Sequence, residues 1–130
     1  MSISISKHIY SKLSNSIELA SLVGDKIYTI STKSETTFPF IVYKRSELIP
    51  NHTKDRYDTG DKVTVEVIVA TDNYFDSIKV AEAVRVALDG NRGKYDTFNV
   101  IDSKLLSADE DFIEDTFIQR LVFSFETDTE

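Results

Sequence analysis

The chain has no cysteine and no tryptophan, and only two prolines, four glycines and two histidines among 130 residues. Without cysteine, disulfides and thiolate metal sites are excluded, which suits a cytosolic setting. His8 and His52 lie far apart and form no zinc-ligand spacing. No apolar run approaches the ~20 residues that cross a bilayer. The start, Met1-Ser2-Ile3-Ser4-Ile5-Ser6, lacks a signal-peptide core. A soluble protein, neither membrane-bound nor secreted, is expected. Gly60, Gly90 and Gly93 are too scattered to make a phosphate-cradling loop, and no serine sits in a Gly-x-Ser-x-Gly elbow. Asp55 and Asp58 could form an acid–base couple, but Lys54 and Arg56 beside them favour a solvated loop. These absences lead to the expectation of a non-enzymatic protein with no catalytic residue, no cofactor and no metal.

What is present is acidic. Twenty-two carboxylates against 15 basic residues leave a net charge of −7. Such a chain does not neutralise phosphates broadly, so general nucleic-acid binding is disfavoured. The plainer meaning of the charge is solubility. The sharper one is a surface past which a polyanion moves without sticking, repelled across a Debye length of ~8 Å. A hydrophobic content of 41% argues against disorder, and the length suits one domain spanning residues 1–130.

The strongest pattern runs from Asp61 to Gly90. Val63, Val65, Val67 and Val69 alternate with Thr64 and Glu66, the period of a strand with one apolar face. Asp72-Asn73 offers a helix cap, and Ile78, Ala81, Val84 and Leu88 follow at helical spacing until Asp89-Gly90. Earlier, Ile5, Ile9 and Leu13 predict a helix over 4–15. Ile27-Tyr28-Thr29-Ile30 and Phe38 to Arg45 predict strands, with Pro39 at a strand start or edge. The polar segment from Ile49 to Asp61 reads as a long, mobile connection between antiparallel strands. Lys94 to Ser107 predicts a strand, Ala108 to Asp111 with Glu114-Asp115 an acidic turn, and Thr116 to Glu126 a last strand before a frayed tail. That last strand is apolar on both faces, which places it mid-sheet or under another subunit. The expected fold is α+β, a mostly antiparallel sheet with two helices packed on one face. Its expected order is helix, strand, strand, strand, helix, strand, strand.

The acidic turn is the best cation candidate, but it lacks the alternating ligands, central glycine and terminal glutamate of a calcium loop. A solvated turn is the better reading.

Four blocks carry a family resemblance. They are Lys26-Ile27-Tyr28, Phe38 to Arg45, the valine strand with its helix ending Ala83 to Gly90, and Asp111 to Asp115 leading into Arg120 to Phe125. In this order and spacing the chain resembles the tail-completion or tail-terminator-like proteins of long-tailed phages and prophages. The central strand holds Ile68-Val69-Ala70 where members often carry a tryptophan. The resemblance implies a structural tail protein, a subunit of an oligomeric ring, typically a hexamer, that caps the head-proximal end of the tail tube and helps join tail to head. Implied partners are copies of itself, the tail tube protein and the head–tail connector, with DNA passing through without specific binding. The implied location is the virion tail, and the host cytoplasm during assembly. Lys44, Arg45, Arg56, Tyr57 and Arg120 are the interface candidates, because interfaces are enriched in Arg and Tyr. The alternatives are a binding or adaptor module that pairs an exposed strand edge with a partner, and an enzyme using the acidic turn with a divalent ion.

Overall fold

In a computed structural model, residues 2–31, 36–50, 60–90, 92–94 and 98–128 are described. They form three helices and a six-stranded sheet. After a short 3-10 turn at Ser2–Ser4 come helices α1 (Ser6–Ser14) and α2 (Ile17–Val23), then strands β1 (Ile27–Thr29), β2 (Phe40–Pro50) and β3 (Asp61–Thr71). Helix α3 (Tyr74–Leu88) precedes β4 (Gly93–Lys94), β5 (Asn99–Ile113) and β6 (Thr116–Asp128). The sheet order is β1-β2-β3-β6-β5-β4.

The α+β class agrees with expectation; several details do not. There are three helices, not two. Ser16 accepts a hydrogen bond from the Leu19 amide and starts α2, and Gly24, at φ 63°, ends it. The sheet is mixed, because β1 runs parallel to β2 while the other pairs are antiparallel. The two-residue β4 is an additional strand. β2 continues to Pro50, which pairs with Asp61, so the connection begins later than expected. The proposed mobility of that connection concerns residues 51–59, outside the described set.

The acidic turn is corrected most. Ala108 to Asp111 belong to β5, and only Glu114-Asp115 turn, both in the left-handed region at φ 51° and 60°. Cross-strand partners override the weak strand propensity of this acidic run: Asp109 lies opposite Arg120 and Glu110 opposite Gln119. The tail also changes, since Thr127 is buried and pairs with Asp61.

The core lies between the sheet and the helices. Val63, Val65, Val67 and Val69 are fully buried, beside Leu121, Phe123 and Phe125 of β6. Ile5, Ile9 and Leu13 close the core from the N-terminal segment, as their four-residue repeat predicts. On α3 the buried positions are Ser77, Val80, Ala83, Val84 and Leu88; Ile78 and Ala81 are only half-buried. The apolar stripe is therefore rotated from the expected one. Asn73 caps α3 through the Asp76 amide at 3.2 Å. At its far end Asp89 accepts from the Leu105 amide at 3.1 Å, which joins the helix to β5.

Candidate interaction surfaces

Among the described residues no three His, Cys, Asp or Glu side chains gather as metal ligands. The ionisable groups that do meet form structural pairs. On the face of the sheet away from the helices, Arg120 reaches Glu66 on β3 (Nε–Oε1 3.0 Å) and Asp109 on β5 (Nη1–Oδ1 2.7 Å). One guanidinium thus ties three adjacent strands together. Arg120, offered as an interface residue, is occupied within its own subunit.

The same open face carries a shallow apolar concavity of about 430 Å³, bordered by Phe40, Val42, Ile68, Ile113 and Ile118. The strand period produces it, since these residues alternate with the buried set.

The β5–β6 hairpin tip is anchored over the start of α3. The Tyr74 hydroxyl donates to Glu110 at 2.9 Å, and Gln119 donates to both Glu110 and the Ser77 hydroxyl. Sharing its proton with that carboxylate raises the Tyr74 pKa. Around these bonds the rings of Tyr74, Phe75, Phe112 and Phe117 pack edge-on or tilted, with centroids 4.7–5.9 Å apart. Phe75 nevertheless remains 72% exposed and Phe112 53%. Nothing within the described residues covers these rings.

A second apolar hollow, about 440 Å³, opens where the N-terminal turn meets β1 and β2. Ile3, Ile5, Ile9, Ile30 and Tyr43 line it, and Lys44 and Arg45 stand at its rim. Arg45 donates to the Ile3 carbonyl at 3.3 Å, which holds the turn against the sheet. Lys44 is exposed and lies opposite Glu66 in register. Ile30 has φ 65°, a conformation that costs a branched residue about 1–2 kcal/mol. There its side chain stands 78% exposed.

Lys44 and Arg45 therefore share one hollow and Arg120 lies elsewhere, while Arg56 and Tyr57 fall outside the described residues. Ile3, Ile30, Phe75 and Phe112, exposed apolar residues at these surfaces, are not among the candidates drawn from the sequence. Phe75 carried a signal, being a large ring off the apolar stripe of α3. Ile30 carried none, because its exposure follows from a backbone turn that branched residues avoid.

The model of the Tail completion protein gp17 family matches residues 7–130. No curated protein matches the sequence. Among solved structures 22 chains match. One, from "Virion of native gene transfer agent (GTA) particle", has a TM-score of 0.82 over 92% of this chain and 91% of its own, at 21% identity. That likeness is one of fold. The family match covers nearly the whole chain, and the chain belongs to the tail-completion family: it is a structural, non-enzymatic protein of phage tails.

Proposed function

Starting from membership of the tail-completion family, we propose that the chain, as one domain over residues 1–130, caps the head-proximal end of the tail tube. It acts as a subunit of a closed ring, on whose far side the head–tail connector seats. One observation carries this reading. Among the described residues, β1 pairs only with Ile41 to Tyr43 of β2, and β4 only with Asn99 and Val100 of β5. Both flanks of the sheet are thus open to neighbours, as a ring subunit requires.

The chain of similar fold from a gene transfer agent virion supports a role within an assembled particle. The net charge of −7 suits a passage that DNA crosses without adhering. On this reading the protein belongs to the virion tail and is assembled in the host cytoplasm.

An adaptor that takes up an extended peptide along a strand edge is less well supported. Register shifts interrupt β2 between Arg45 and Glu47, and β5 at Val100/Asp102 and Leu105/Ser107. Such bulges blunt an edge against strand addition and favour contacts through side chains.

The test is tube polymerisation with and without the purified chain. Shorter tubes bearing the chain at one end only are expected. Tubes of unchanged length with no end label would remove the capping role.

A further inference from the structure

We infer that the ring cluster where the β5–β6 hairpin meets the start of α3 docks an apolar, arginine-bearing segment of a second protein. The site does not depend on ring closure, and its failure would leave the ring reading untouched.

The register fixes where the rings lie. Phe112 stands opposite Phe117, and Phe117 opposite Thr71, two residues beyond the buried Val69. Side chains two apart in a strand share a face, so both rings lie on the side of the sheet against which α3 packs. Tyr74 and Phe75 extend the cluster from the first turn of α3. Hydrogen bonds hold it in place: Tyr74 to Glu110 at 2.9 Å, and Gln119 to Glu110 at 3.0 Å and to Ser77 at 3.2 Å. Phe75 and Phe112 are thus held at the surface by neighbours that are themselves fixed. Exposed rings in a fixed frame lose little freedom when a partner covers them.

The charge around the rings defines the chemistry of the partner. Asp72 and Asp76 flank Tyr74 and Phe75 in the chain, Asp111 precedes Phe112, and Glu114-Asp115 follow. Among the described residues no cation pairs with any of these five carboxylates. Lys79, one turn beyond Phe75, is the first cation along α3, and no Lys or Arg occurs between Lys104 and Arg120. Arg120 itself is held by Glu66 and Asp109 on the other face of the sheet. The faces of aromatic rings also carry negative potential. Rings and carboxylates together favour a cation that brings apolar surface with it. A guanidinium suits both, since it stacks on rings and bonds carboxylates through a planar fork. The segment belongs to another protein, because Arg45, Arg85 and Arg120 of this chain already bond within their own subunit. Two copies of the cluster face to face would set carboxylate against carboxylate.

The chain has no tryptophan, so Phe75→Trp places a single fluorescent reporter in the cluster. The probe is the peptide acetyl-Leu-Arg-Leu-Arg-Leu-amide. Its control carries citrulline at both arginines, which keeps the shape and removes the charge. A saturable change in emission is expected with the arginine peptide, at least about threefold tighter than with the citrulline peptide and weakening as salt rises. Phe112→Ser in the reporter chain is expected to weaken the arginine peptide by a similar factor, with circular dichroism establishing that the chain is folded. Asp76→Asn, at an exposed position, serves if it is not. No saturable change, equal binding of the two peptides, or binding that ignores the substitution would overturn the site. Emission that shifts with the chain's own concentration and not with peptide would give the rings to a second copy, and would overturn it equally.

Discussion

His8 sits fully buried in α1, its ring edge-on to Phe125 at 5.5 Å. Burial, with the nearby Lys12 charge, pulls its pKa down to about 4. Between pH 6.5 and 4 the unfolded chain binds a proton at this site that the folded chain refuses. Stability is therefore unaffected by His8 above pH 6.5, declines as pH falls through that window, and levels below it. The loss approaches about 3 kcal/mol. Urea denaturation across the window, compared with His8→Leu, isolates the effect; the variant is expected to lose this slope. Gly60 poses the opposite problem, of space. At φ 133°, a Cβ there would stand 1.9 Å from the Thr127 carbonyl oxygen. Gly60→Ala must move backbone at the start of β3, and a destabilisation of about 2–4 kcal/mol is expected in the same denaturation assay. Neither demand shows in the sequence. His8 resembles any polar residue on a helix, and Gly60 any glycine near a turn, until the packing around each is known.

At the scale of elements, legibility followed periodicity. The valine strand, the helix after it and the last strand announce themselves because one face of each is buried and the residues alternate accordingly. The β5–β6 hairpin tip did not, because its order comes from partners far along the chain. Asp109 is held by Arg120, and Glu110 by Tyr74 and Gln119. An acidic run without those partners is a turn by composition. The actual turn, Glu114-Asp115, puts two side-chain-bearing residues where glycine and asparagine are favoured. Asp115→Gly should relieve part of that strain and raise stability by ~0.5 kcal/mol, read as a small increase in the melting temperature. An unchanged or lower midpoint would mean that the Asp115 side chain offsets the strain. α2 was obscured for another reason: Ser16 follows directly on the first predicted helix, and only its hydrogen bond from the Leu19 amide reveals it as the cap of a second short helix.

At the scale of the molecule, the class of fold and the family were legible from the order of four blocks. The interface candidates rest on residue type, and the structure adds where each of them lies. Lys44 and Arg45, chosen by residue type, both line one hollow. Arg120, chosen by the same rule, pairs with Glu66 and Asp109 of its own sheet. Residue type alone does not say whether a cation faces a neighbour or a carboxylate of its own chain. Exposed apolar residues such as Ile30 and Phe75 are candidates of another kind, since the isolated subunit leaves their exposure unexplained. One claim then stands to be tested: copies of this chain join into a closed ring. Native mass spectrometry of the wild-type chain over a range of concentrations tests it most directly. The account predicts that monomer gives way to one species, a single fixed multiple of the chain mass. A monomer throughout, or an open ladder of every size with no preferred member, would contradict it.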